Sequence, residues 1–377
     1  MKVLLQRMIG IGALVLVCSS MTARAQTGTT RIVTAANGFL ATLDEKQRQS
    51  VVYAFDDEKQ RATWSNLPVT FVPRGGISLK DMTAAQRSAA MAVLAAALSA
   101  KGFEKVQQIM EGDEVLKATD NGQPPRGNNG GQPPPGDRNG PPPGAPQGNR
   151  PPGGGPPGGA MFGKDLYYIS ILGKPSEKEP WMLQFGGHHL ALNITIAGER
   201  GILTPTLTGA QPALFTSGGK TVRPLGGESD KALALLNALD EGEKKQAILS
   251  FRLADLVLGP GQDGKTIQPE GLKASAMNDK QRAMLLDVIA EWAGIIHESE
   301  AAARMAQLKA DIGETWFAWS GPMTAAAGKN IAAYYRIQGP HLVIEYAPQT
   351  LGGDPSLHVH TMYRDPTNDY GRGLVGK

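Results

Sequence analysis

The stretch WMLQFGGHHLALNIT, Trp181 to Thr195, decides the fold. It reads as a strand in which two histidines, His188 and His189, follow a glycine pair. A fainter version, YYRIQGPHLVIEY, recurs at Tyr334 to Tyr346 and carries His341 at the matching place. A third cluster, His358-Val359-His360, closes the chain, so these segments hold five of the six histidines. A chemistry built on imidazole therefore has its residues concentrated where strands are expected.

Working outward, Leu166 to Ile171 is β-branched and aromatic, and a turn through Lys174 to Pro180 joins it to the Trp181 strand as a hairpin. Ala197 to Gly201 turns the chain into Ile202 to Thr206, after which PTLTGAQP reads as a loop. Thr315 to Ser320, Ala333 to Tyr346 and Leu357 to Tyr363 read as further strands. Upstream, Thr42-x-x-Glu45 predicts a capped helix start, and Thr83-x-x-Gln86 caps an alanine-rich helix that Gly102 would end. Phe103 to Leu116 and Lys231 to Leu258 have helical period, and Asn278-x-x-Gln281 opens a long helix through Ile296 that extends toward Ile312. Trp64 to Ile77, with its prolines and glycine pair, predicts an irregular connection.

The two halves share this order of parts. FLATLDEKQRQSVVYAF at Phe39 resembles LLNALDEGEKKQAILSF at Leu235, an offset of 196, and Met82 with Gln86 matches Met277 with Gln281 at 195. His189-Leu190 matches His341-Leu342 at 152. The shortfall is about the length of residues 121–159, which hold 13 prolines and 13 glycines and almost nothing apolar. That segment cannot bury a core and reads as a disordered insertion. The expected fold is α+β: pseudo-duplicated helix-helix-hairpin units, about 37–206 and 230–347, forming one antiparallel sheet flanked by helices. The motif 355–377 follows, and residues 26–377 make a single pseudo-symmetric domain.

Residues 1–25 form an export signal: Lys2 and Arg7, an apolar run from Ile9 to Cys18, then Ala23-Arg24-Ala25 for cleavage. The run is too short for a membrane span, which places the mature chain in a periplasm or outside the cell. Lys2, Arg7 and Arg24 account for the whole net charge of +3, so the mature chain is neutral and gives no electrostatic case for nucleic acid. Cys18 is the only cysteine, which leaves neither a disulfide nor a thiolate ligand after cleavage. About 350 residues remain, enough for a sizeable core.

Gly259 to Thr266 satisfies the phosphate-loop pattern, but Ile267-Gln268-Pro269-Glu270-Gly271 follows where a helix must open, so nucleotide binding is not expected. Asn193-Ile194-Thr195 is a glycosylation sequon inside a strand. On a strand His188 and His189 point to opposite faces unless Gly186-Gly187 bends the chain. His358, His360 and Met362 share one face by the same period. His189, His341, His358 and His360, with His188 and Met362 as further members, make a candidate metal set. Imidazoles without thiolate suit Zn or Cu, and the thioether leans toward copper. Arg364, Asp365 and Asp369 in RDPTNDYG are candidate catalytic groups, or else pin a turn. His297 reads as packing or surface. Trp316, Trp319, Tyr334, Tyr335 and Tyr363 read first as core and second as a stacking wall.

At FGGHHLALN, PTLTGAQP, YYRIQGPHLVIEY and HVHTMYRDPTNDYG the chain resembles a family of exported bacterial proteins of unknown function. The likeness covers most of the mature chain outside the insertion and implies one fold rather than a chemistry. The family pattern carries acids where this chain has Gly187 and Gln211. The sequence thus leads to an exported protein with a histidine-lined site for a metal ion or small molecule. The alternatives are a hydrolase using the His/Asp/Arg residues and a cell-envelope interaction protein with packing histidines.

Overall fold

The computed structural model describes residues 27–119, 161–351 and 353–375. The expected signal, 1–25, and the Pro/Gly insertion, 121–159, lie outside the described residues.

The first half contains α1 (Gly28–Ala41), α2 (Glu45–Val51), β1 (Val52–Tyr53), α3 (Glu58–Ala62), β2 (Ile77–Ser78), α4 (Ala84–Ala97) and α5 (Ala100–Thr119). Strands β3 (Tyr168–Leu172), β4 (Trp181–Gly187), β5 (Leu190–Ala197) and β6 (Arg200–Ala210) follow, then a small hairpin of β7 (Phe215–Ser217) and β8 (Lys220–Val222). The second half contains α6 (Gly226–Asn237), α7 (Glu241–Ala247), β9 (Leu272–Lys273), α8 (Asp279–Ala293) and α9 (Glu298–Ala310). It ends with β10 (Trp316–Ser320), β11 (Tyr334–Gly339), β12 (Leu342–Pro348) and β13 (Val359–Arg364).

Eleven strands form one sheet in the order β1-β3-β4-β5-β6-β13-β12-β11-β10-β9, with β2 also on β3. The order reads the same from either edge: each half is a meander, and the last strands, β6 and β13, meet antiparallel at the centre. The sheet is antiparallel as expected except at β1, which runs parallel to β3. Val52 pairs with Ile171 there, and Ile248 makes the corresponding parallel bridge to Trp319.

Strand alternation divides the two faces. Ile169, Leu183, Phe185, Leu192 and Ile194, with Phe317, Tyr335, Ile337 and Ile344, join the main core under the helices, where α1 packs on α4 and α6 on α8. The opposite face carries Gln184, Asn193, Arg336 and Glu345, and the connecting segments 54–76, which include α3, and 249–271 cross it. These connections satisfy the buried polar groups: Gln60 donates to Gln184, and Glu345 accepts from the backbone of Val257 and Leu258 at 2.7 Å each. Asn193 is buried and its amide donates to the Pro205 carbonyl at 2.8 Å, so the sequon asparagine has a packing role.

Several boundaries differ from the sequence reading. Thr42 is the C-cap of α1, and the operative box is Asp44 with Gln47 on α2, repeated as Asp240 with Glu243 on α7. That second box also ends α6, so Lys231 to Leu258 is two helices and an irregular tail rather than one helix. Thr83/Gln86 and Asn278/Gln281 do cap α4 and α8. The long helix breaks at Gly294, and His297 caps α9. Gly102 ends no helix; it lies within α5, where a Cβ would stand 2.2 Å from the Ile295 carbonyl, so it permits the two helical corners to touch. PTLTGA continues β6, and Pro205, which has no N–H, falls where the ladder to β5 shifts register.

Candidate functional site

Gly187 pairs with Leu190, so His188 and His189 are the two residues of the β4–β5 turn rather than members of a strand. His189 has φ +59°, a left-handed conformation that costs a non-glycine residue about 1–2 kcal/mol. The turn brings both rings to the same side, with centroids 3.6 Å apart. Gly187, where the family pattern suggested an acid, has no room for one: a Cβ would meet the Leu166 carbonyl at 2.7 Å.

His360 on β13 and His358, the extended residue just before that strand, project from one face as the period-two rule predicts. His189 Nε2 is 3.0 Å from His358 Nε2, which is 3.1 Å from His360 Nε2. All three residues are buried. Gly209 on β6 makes this possible: its N–H donates to the His189 carbonyl at 2.7 Å, and a Cβ would stand 3.0 Å from the His189 ring.

The far nitrogens differ in their surroundings. His358 donates from Nδ1 to the Leu351 carbonyl at 2.8 Å. His360 Nδ1 has the Asp255 carboxylate at 3.5 Å and the Asn66 amide at 3.2 Å. Among the described residues His189 Nδ1 has no hydrogen-bond partner, and Asp113 Oδ1 is 4.0 Å away. A proton on each Nδ1 leaves three lone pairs converging at about hydrogen-bond distance, while moving the His189 proton to Nε2 turns a lone pair toward Asp113. In the first of these arrangements a cation at the centre would meet all three lone pairs.

Burial pushes the His189 imidazolium well down and that of His358 down to about 4, so both rings are neutral near pH 7, the form that ligates. Behind them Asp113 of α5 is fully buried, with Oδ1 2.8 Å from His188 Nδ1 and Oδ2 2.7 Å from the Tyr167 hydroxyl. Burial raises the Asp113 carboxyl, and His188 and Tyr167 work against that rise. Two three-residue groups can hold a metal ion: His189, His358 and His360; and Asp113, His188 and His189.

His341 does not join them. β5 and β12 are separated by three antiparallel pairings, so they run in opposite directions and their starting turns lie at opposite ends of the sheet. There His341 Nδ1 meets the Thr367 hydroxyl at 2.9 Å, and its carbonyl accepts from Arg304. Met362 packs with Trp64, Ala191 and Leu207. Arg364 donates to the carbonyls of Leu258 and Gly259 and to the carboxylates of Asp263 and Asp369. It pins the Gly259–Thr266 loop, which opens no helix. Asp365 binds Arg304 at 2.9 Å and the Thr367 N–H at 3.0 Å. The RDPTND residues therefore hold a turn at the far end of β13, about 13 Å from His360 at strand rise. Trp319, Tyr335 and Tyr346 stack in the core, as the first reading of the aromatics expects.

Sequence reasoning missed Asp113, Asp255 and Asn66. Asp113 sits in EGDE on a charged helix and Asp255 in an irregular segment, so neither carries a local signal. A cleft of about 240 Å³ opens against His358, walled by Leu116, Pro212, Leu351 and Leu357, with Gln211 and Asp354 on its polar side. A cavity of the same volume at the other end of the central seam, between β6 and α9, has no histidine in its lining.

A family model described as a protein of unknown function (DUF3500) matches residues 25–372. No curated protein and no solved structure matches the chain.

Proposed function

We propose that this chain, which belongs to the DUF3500 family, binds a divalent transition-metal ion through His189, His358 and His360. The observation that carries this reading is the convergence of three Nε2 atoms at 3.0 and 3.1 Å, with the Leu351 carbonyl behind His358 and the Asp255 carboxylate behind His360. Tetrahedral zinc with bonds of about 2.0–2.1 Å sets its nitrogens about 3.3 Å apart, so small shifts accommodate it. Backing of the second ring nitrogen is the usual arrangement around ligating histidines. The packing of Met362 removes the thioether argument for copper and makes zinc the preferred ion, although copper(II) competes at any nitrogen site.

Three protein ligands leave a fourth position, the pattern of exchangeable rather than closed zinc sites. The cleft against His358 favours a second reading, a hydrolase in which the ion lowers the pKa of bound water. On either reading the ion or ligand is met outside the cytoplasm. The signal-like residues 1–25 support that placement, and the amino-terminal sequence of protein recovered from its host tests it. Among the described residues no helix is long and apolar enough to cross a membrane.

The test is the metal content of untagged protein after desalting, beside the double variant His358→Ala/His360→Ala. The wild type should retain at least one equivalent of zinc, and the double variant should lose one while keeping its circular dichroism. Equal metal content in the two proteins would defeat the reading.

A further inference from the structure

A single ion held by three Nε2 atoms uses neither Asp113, nor His188, nor the second nitrogen of His189 as a ligand. All three residues are buried. Among the described residues His189 Nδ1 is unpartnered, and it lies 4.0 Å from Asp113 Oδ1, which is itself 2.8 Å from His188 Nδ1. Asp113 Oδ2 is occupied by the Tyr167 hydroxyl at 2.7 Å, which turns Oδ1 toward the two rings. We propose that His189 is a bridging imidazolate that joins the first ion to a second one held by Asp113 Oδ1, His188 Nδ1 and His189 Nδ1.

The inference rests on the metal reading given above and adds a second site to it. The two separations, 2.8 and 4.0 Å, bracket the spacing of about 3.3 Å that ligand atoms keep around a four-coordinate ion. Opening the first pair by about 0.5 Å and closing the second by about 0.7 Å reaches that spacing. Binding two ions requires His189 to release its remaining ring proton, which leaves with solvent, and the anionic ring then balances the added charge. The second ion supplies the partner that His189 Nδ1 lacks. It also gives a buried carboxylate a cation, where among the described residues its contacts are two histidines and a tyrosine. The left-handed turn at His189 serves this purpose, since a ring lying along a strand face would expose only one nitrogen to each side.

The experiment loads metal-free wild-type protein with excess copper(II), removes unbound metal, and measures copper per chain together with the electron paramagnetic resonance signal. The expected result is two ions per chain with a signal far below the total copper, because copper(II) ions coupled through imidazolate lose their paramagnetism at low temperature. Asp113→Asn and His188→Gln should each retain one ion and recover the full mononuclear signal. If Asp113→Asn does not fold, as judged by circular dichroism, His188→Gln alone decides. One ion per wild-type chain with full signal would overturn the bridge and leave the three-histidine site standing. No bound ion would overturn both. Two uncoupled ions, or two ions kept in a folded variant, would overturn the bridge.

Discussion

Gly209→Ala separates the metal site from the fold with a single methyl group. A Cβ at Gly209 would lie 2.8 Å from the Val359 carbonyl, 3.0 Å from His189 Cδ2 and 3.3 Å from His189 Cβ. Ordinary contact needs a few tenths of an ångström more on each. The Val359 carbonyl belongs to the central ladder, where Val359 pairs with Ala210, and has little freedom to retreat. The His189 ring must therefore take up most of the movement, and its Nε2 leaves the position 3.0 Å from His358 Nε2. Metal sites tolerate about 0.2 Å in ligand distance, so zinc affinity should fall by about 10–100-fold, the range seen when the support of a ligand is disturbed. Overpacking of this size should cost the fold about 1–3 kcal/mol. Competition for zinc against a chromophoric chelator measures the first effect and urea unfolding of the metal-free protein the second. Unchanged zinc affinity in a folded variant would refute the argument that Gly209 seats the His189 ring.

Met362→Leu should cost less than about 1.5 kcal/mol in urea unfolding and leave zinc affinity unchanged, because Met362 fills a cluster with Trp64, Ala191 and Leu207. A large loss of copper affinity in that variant would return Met362 to the ligand set. Glu291 offers a pH prediction: burial alone would raise its carboxyl, but Lys101, Lys105 and Lys231 outweigh burial and hold it at about 2. A group depressed in the folded state stabilises fully above its ordinary value of 4.5, and that contribution is lost as the pH falls toward 2. Glu291→Gln should lower stability at pH 7 by about 1–3 kcal/mol, less than for a fully buried pair because Lys101 and Lys231 reach solvent, with the deficit shrinking between pH 4.5 and 2. Urea midpoints across that range check it, and a deficit independent of pH would contradict it.

The sheet was largely legible because its evidence is local and repeated. Alternation marked the hairpins, Thr83/Gln86 and Asn278/Gln281 marked helix starts, and the paired offsets marked two halves with a common order. His358 and His360 were legible as partners because period two holds along any strand. His188 and His189 were harder, since Gly186-Gly187-His188-His189 does not say by itself where the strand stops and the turn begins. His341 was misplaced for a geometric reason: the likeness of two segments does not bring them together, and the antiparallel order of the central strands puts the turns before β5 and β12 at opposite ends. Asp113 and Asp255 were beyond reach because they arrive from a helix and an irregular segment, more than 70 residues from the histidines they face. The Arg364 turn had its alternatives stated correctly, and the choice between them depended on Leu258, Gly259 and Asp263, over 100 residues away.

X-ray absorption at the zinc edge of stoichiometrically loaded wild-type protein tests the central claim most directly. The account predicts a first shell dominated by nitrogen at about 2.0–2.1 Å, with the outer-shell scattering of at least three imidazole rings. A shell of oxygens without imidazole scattering, or a folded protein that retains no zinc, would contradict it.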